Sequence, residues 1–197
     1  MSAPLAYLVG CRFMQPEREA EWNQWYNGPK LEKMLAKPGF LSCQRFHAVD
    51  PTRPAPYLAV WRVESPAVFE TPEYTSDWGW ADYAEEIGEW TRDLCELEGD
   101  DGPDSLACPA DGALRFVRVQ CDDAEEARAA RDAVAAACPG MIWGSTIGLD
   151  RSVPFVGLEI LQGPEHDLTD FDDPRISDAL LRPLFEHTRS ATQRRVP

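Results

Sequence analysis

Lys37-Pro38-Gly39-Phe40-Leu41 and Cys138-Pro139-Gly140-Met141-Ile142 decide how this chain is read. Each sits between a stretch with helical spacing and an apolar stretch. Proline cannot continue a helix, glycine accepts the positive φ of a tight turn, and a strand is expected to follow. Moving outward, Pro56-Tyr57-Leu58-Ala59-Val60 matches Pro154-Phe155-Val156-Gly157-Leu158 in register. Glu64-Ser65-Pro66 matches Gln162-Gly163-Pro164 in the same way. The order strand, helix, Pro-Gly, strand, turn, strand therefore occurs twice in 197 residues.

In the first repeat, strands are expected over Leu5 to Met14, Phe40 to Val49 and Tyr57 to Val63. Pro16 to Tyr26 reads as a helix that Gly28-Pro29 breaks or kinks, with Asn27 capping a short second helix from Pro29 to Ala36. After a helical turn at Pro66 to Phe69 comes an aromatic insert, Tyr74 to Trp80. Tyr83, Ile87, Trp90, Leu94 and Leu97 keep helical spacing and predict a helix over Ala81 to Leu97. Glu98 to Gly112, rich in Gly, Asp and Pro, reads as a linker. The second repeat offers strands at Ala113 to Gln120, Met141 to Leu149 and Val153 to Leu161. Its helices are expected at Asp122 to Cys138, capped by Asp122 or Asp123, and at Pro174 to Thr192, after a polar loop from Gly163 to Asp173. A fourth strand in each repeat is not placed by the pattern. One face of each sheet is covered by its own helices, and packing the two bare faces together buries both. The expectation is an α+β fold of tandem ferredoxin-like βαββαβ repeats, packed as a single-chain dimeric α/β barrel. Residues 1–98 form the first repeat, 99–112 the linker and 113–197 the second repeat.

Composition narrows the function classes. Lys and Arg number 19 against 34 Asp and Glu, a net charge of -15 that repels phosphate backbones, so no nucleic-acid partner is expected. No apolar run approaches the ~18 residues of a membrane span. Met1-Ser2-Ala3-Pro4 carries no basic n-region, which points to a cytoplasmic protein. Six scattered cysteines without a Cys-x-x-Cys pair read as buried free thiols. Nucleotide-binding, serine-hydrolase and zinc-protease motifs are absent, so neither a metal nor a cofactor is expected.

The stretch Trp22-Asn23-Gln24-Trp25-Tyr26-Asn27-Gly28-Pro29-Lys30-Leu31, followed by Pro38-Gly39-Phe40-Leu41 and Gln44-Arg45-Phe46, resembles the EthD-like branch of the dimeric α/β-barrel superfamily. Tyr57-Leu58-Ala59-Val60-Trp61 and Glu64-Ser65-Pro66 continue the resemblance, which covers the first half; the second half matches by pattern alone. Asn27 stands where the branch usually has Asp, and Lys30 where it usually has His. The resemblance implies a superfamily of isomerases, dehydratases, decarboxylases, cofactor-free monooxygenases and haem enzymes, within which fold does not settle function.

Several residues are chemically suggestive. His47 shares a strand face with Cys43 and Arg45, opposite Phe40, Ser42, Gln44 and Phe46, and a His beside an Arg can serve as acid or base near neutrality; the plain alternative is a strand-end His. Tyr26, Asn27 and Lys30 gather at the helix break, where Lys30 suits a carboxylate, a phenolate or a developing oxyanion, or else is simply solvated. Arg45, inside a strand, is expected either to hold an anionic substrate group or to pair with Asp77 or Glu21. Trp25, Trp61, Trp78, Trp80 and Tyr83 are expected to wall an apolar pocket, whereas Trp22 and Trp90 read as core. His166 and His187 are expected to face solvent. The resulting expectation is a cofactor-independent lyase or isomerase, of dehydratase or decarboxylase type. Its substrate is a small, largely apolar aromatic or polyketide-like molecule with an acidic group. His47, Tyr26 and Lys30 would be catalytic, and Arg45, Asn27 and the aromatic walls would bind substrate. Its rivals are an oxygenase of the same fold, cofactor-free or haem-dependent, and a non-catalytic binding module. The duplicated chain allows a monomer or a homodimer.

Overall fold

The computed structural model describes residues 4–99, 102–163 and 171–191. Its first half runs β1 (Leu5–Phe13), α1 (Glu19–Trp25), α2 (Leu31–Leu35), β2 (Phe40–Ala48), β3 (Tyr57–Val63), α3 (Pro72–Thr75) and β4 (Ile87–Leu97). The second half runs β5 (Ala113–Val119), α4 (Ala124–Ala137), β6 (Ile142–Leu149), β7 (Phe155–Leu161), β8 (Ile176–Pro183) and a two-residue β9 (Thr188–Arg189). Each Pro-Gly turn ends the stretch after a helix and feeds a strand, β2 or β6, but only Gly39 takes the expected positive φ (80°); Gly140 does not.

The strands lie in the order β3-β1-β4-β6-β7-β5-β8-β2, and β2 pairs back to β3. Among the described residues, eight antiparallel strands thus close a barrel, with β9 adding two pairs to β2. The half-sheets β2-β3-β1-β4 and β6-β7-β5-β8 have the same order. They meet at two seams, β4 on β6 (Asp93↔Leu149 to Leu97↔Gly144) and β8 on β2 (Phe46↔Pro183 to Ala48↔Leu181).

Both unplaced fourth strands occupy segments expected to be helical. Ala81 to Leu97 forms a short 3-10 stretch and then β4, because Thr91, Asp93, Cys95 and Leu97 alternate inward and Leu94 outward between β1 and β6. Apolar spacing that also fits a helix loses to two strand partners, since sheet preference is largely tertiary packing. Pro174 onward likewise forms β8, which β5 and β2 hold from both sides. No helix among the described residues is long and apolar enough to cross a membrane.

Alternation along β1 sets the layers. Leu8 packs in the barrel interior with Phe46, Leu58, Val60, Leu114 and Leu158, while Tyr7 and Val9 face the first half's helices. Residues 102–112 cap one barrel end: Leu106 and Cys108 are buried there, and buried Gln44 both accepts the Cys108 N–H (2.9 Å) and donates to the Cys108 carbonyl (2.8 Å). The helix α4 begins as its sequence suggests, with the Asp123 carboxylate accepting the N–H groups of Glu125 and Glu126.

Candidate functional site: an aromatic cavity over the first half-sheet

Pro29 has no N–H to give to a helix, yet it does not end this one. Between α1 and α2 the chain widens into a π turn over Tyr26–Lys30, closed by the Leu31 N–H donating to the Tyr26 carbonyl. A wide turn absorbs a residue that an α-helix would reject, and such turns gather at functional sites. Its consequence here is that Tyr26 and Lys30 are both buried against the sheet. Asn27 therefore lies inside a continuous helix rather than capping a second one.

Tyr26, Lys30 and Met34 face Tyr7, Val9, Trp61 and Trp90 of the sheet across a small cavity of about 20 Å³, closed from the side by Trp78 and Trp80. The Lys30 ammonium donates to the carbonyls of Trp78 (2.9 Å) and Gly79 (2.6 Å). It also lies 5.3 to 5.4 Å from the ring centres of Trp25, Tyr26 and Trp80. Burial, joined by repulsion from Lys33, Arg45 and Lys37, lowers its pKa to about 8. A neutral amine keeps two N–H groups for the two carbonyls and has a lone pair to spare; the ammonium has one further donor. Burial pushes the Tyr26 phenol well up, so it stays protonated.

Behind Tyr26 lies Arg45, 1% exposed. Its guanidinium is 3.9 Å from the Tyr26 ring centre, 4.7 Å from Trp22 and 5.5 Å from Tyr57. Nη1 donates to Asn27 Oδ1, and Nη2 is buried with no hydrogen-bond partner. The expected carboxylates are elsewhere: Asp77 pairs with Lys33, and Glu21 with Arg18 and the Tyr83 hydroxyl. Cys11 and Cys43 flank Arg45, and burial lifts both thiols, Cys11 to about 12.

No family model matches the chain, and no curated protein matches it either. Solved structures do. An anthrone oxidase-like protein aligns over 98% of this chain and 95% of its own, with a TM-score of 0.61 and 11% identity. A putative monooxygenase of Fusobacterium nucleatum aligns over 96% and 97%, with a TM-score of 0.56 and 11% identity. A putative monooxygenase of Lactobacillus acidophilus aligns over 92% and 94%, with a TM-score of 0.53 and 11% identity. The fold is that of the dimeric α/β barrels. At this identity the likeness carries the architecture alone.

Of the residues singled out from sequence, Tyr26, Lys30, Trp61, Trp78 and Trp80 line the cavity. Trp25 lies on the other side of Lys30, over a separate hollow of about 130 Å³ shared with Pro29, Lys33 and Asp77. Tyr83 packs on Trp25 and Phe13, with its hydroxyl on Glu21. His47 does share a face with Cys43 and Arg45, but a bulge between Phe40 and Ser42 brings Phe40 onto that face too. The His47 ring lies 4.5 Å from the Tyr57 ring, tilted by 59° and half-buried, and does not line the cavity; burial lowers its pKa. His187 is not on a helix facing solvent; it is partly buried, 3.6 Å from Asp104. His166 lies outside the described residues.

Tyr7, Val9, Met34 and Trp90 line the cavity without having been singled out. Trp90, expected in a helix core, is 38% exposed on β4, stacked on Trp78 at 5.6 Å. Arg92, two residues on, covers both rings. The Trp90–Arg92–Leu94 alternation was the available signal. Among the described residues, no group of three or more His, Cys, Asp or Glu side chains is placed to hold a metal.

Proposed function

We propose that this protein is a monooxygenase whose substrate, a small planar aromatic with an acidic C–H, binds in the cavity around Lys30. The observation that carries the proposal is the cage itself: an amine with a lowered pKa, one valence unspent, enclosed by indole and phenol rings. The names of the structural neighbours support an oxidation over a lyase or isomerase reaction. An anthrone-type methylene is a fitting substrate. Neutral Lys30 takes a proton from the methylene group, and the carbanion supplies electrons to dioxygen. Collapse of the adduct breaks the O–O bond, so that one methylene and one dioxygen give one ketone carbonyl and one water. The Lys30 ammonium so formed, with Arg45 behind Tyr26, stabilises the delocalised anion. In the closed form the cavity is smaller than such a substrate, so binding displaces the Trp78–Trp80 segment, whose carbonyls hold Lys30. We also read the two half-sheets, equal in strand order, as tandem ferredoxin-like repeats, the first of them EthD-like.

The test is oxygen uptake by the purified protein with anthrone and related hydroxylated tricyclic substrates. Quinone formation with matched dioxygen consumption is expected, and Lys30→Met should lower the rate at least ~100-fold, equivalent to about 2.7 kcal/mol. Turnover of such compounds without dioxygen, or a Lys30→Met variant as fast as wild type, overturns the reading. His47→Ala is expected to stay within a few-fold of wild type; a His47→Ala variant that is dead restores the lyase or isomerase alternative built on that residue.

A further inference from the structure

The barrel interior contains a second hollow, separated from the aromatic cavity by the thickness of β1. Tyr7 and Val9 line one, Leu8 and Gly10 the other. The inner hollow has a volume of about 70 Å³, room for roughly two waters or one carboxylate with a one- or two-carbon tail. Its floor is apolar, formed by Leu8 and Leu58 from the first half and Phe116, Ala179 and Leu181 from the second.

Among the described residues, its two guanidinium groups each make one hydrogen bond and keep further N–H groups unused. Arg118 Nη2 donates to Ser152 Oγ (2.9 Å), and among the described residues its other N–H groups make no hydrogen bond. Arg53 Nη2 donates to Ser177 Oγ (3.2 Å), and its Nη1 and Nε are likewise without partners. The nearby carboxylate, Asp93, is buried and already accepts from the Ser152 N–H (2.7 Å) and hydroxyl. Two guanidinium groups and one carboxylate line the hollow above an apolar floor, and Arg53 at the rim also acts on the Asp50 carboxylate outside it. An anion entering the hollow meets two guanidinium groups and one carboxylate on its lining, so positive charge outweighs negative there.

We propose that this hollow is a binding site for a small aliphatic monocarboxylate of the acetate or propionate class, seated between the two halves of the barrel. The planar fork of Arg118 matches a carboxylate, and Arg53 completes the grip from the rim. The short tail lies on Leu58, Phe116 and Leu181. A dianion overcharges the site, and chloride leaves the floor uncovered.

Isothermal titration of the intact protein with sodium formate, acetate, propionate and chloride, at constant ionic strength, tests this. Saturable 1:1 binding is expected, with propionate at least as tight as acetate and chloride at least tenfold weaker. Arg118→Gln should weaken acetate at least tenfold. Arg53→Gln, in the turn before β3, provides a second variant if Arg118→Gln does not fold, and should weaken it several-fold. Ala179→Val, which fills about half the hollow, should abolish propionate binding before formate binding. No saturable binding, chloride equal to acetate, or variants indistinguishable from wild type overturns the proposal.

Discussion

Each half of the barrel buries an arginine on the outer face of its sheet, and the two are treated in opposite ways. Arg115 on β5 is clasped by Asp178 through Nε (3.0 Å) and Nη2 (2.5 Å), and its Nη1 meets the Cys138 thiol. Arg45 on β2 has a single amide oxygen, three aromatic rings and an orphaned Nη2. The space around them differs in the same sense. Over the second sheet, Gly157 leaves room for Met141, whose sulfur occupies the space that a Cβ at that position would need. Ala127, Ala130 and Val134 of α4 close the layer. Over the first sheet the matching position is Ala59, and a π turn, an aromatic insert and a caged lysine surround a cavity. The carboxylate ties Arg115 into its sheet, whereas Arg45 is held by one amide oxygen and by ring faces.

This contrast can be broken experimentally, most severely at the arginines. Arg115→Met strands Asp178 and should cost about 3–5 kcal/mol of unfolding free energy, whereas Arg45→Met should stay within about 1 kcal/mol of wild type. Paired urea titrations decide it; equal losses at both sites would make Arg45 as structural as Arg115. Next comes pH. Folding lowers the Lys30 pKa from its ordinary 10.5 to about 8. Between those values the unfolded chain holds the extra proton, so raising the pH across this window favours the folded state. Relative to Lys30→Met, wild type should gain up to ~3 kcal/mol from about pH 8 to about pH 10.5. A stability difference flat with pH removes Lys30 from its cage. Turnover should rise through the same lower bound near 8. A smaller effect is expected from Gly157→Ala, which forces Met141 aside and should destabilise by about 1–2 kcal/mol while leaving oxygen uptake unchanged. Smallest is Trp90→Ala. This half-exposed ring should change the melting temperature little and weaken an aromatic ligand a few-fold, as read by fluorescence titration.

Much of this asymmetry is legible in the residues alone. The Pro-Gly turns fix where β2 and β6 begin, and strict alternation places Arg45 and His47 on one face. Of the cavity-lining set, Tyr26 and Lys30 follow from the helix break, and Trp61, Trp78 and Trp80 from the density of aromatic residues in the first half. What escapes is decided by distant partners. Leu94 and Leu97 suit a helix as well as a strand until β1 and β6 flank them, and the same holds for β8 between β5 and β2. The π turn comes from keeping a helix continuous across Pro29, and Asn27 spends its side chain on Arg45 instead of a helix end. That Arg45 lacks a carboxylate can be seen only when every neighbour is in place.

The two seams, β4 on β6 and β8 on β2, have one more consequence. When such a barrel is assembled from two copies of a chain, every substitution appears twice, and a change that spoils one cavity spoils its mirror image. Here the seams join segments of a single polypeptide, so each half mutates alone. Met141 and Gly157 could fill the second face without touching the first, and Trp78 and Trp80 could crowd the first without burdening the second. Covalent continuity thus releases the protein from symmetry, so that one face is filled by packing while the other keeps an aromatic cavity.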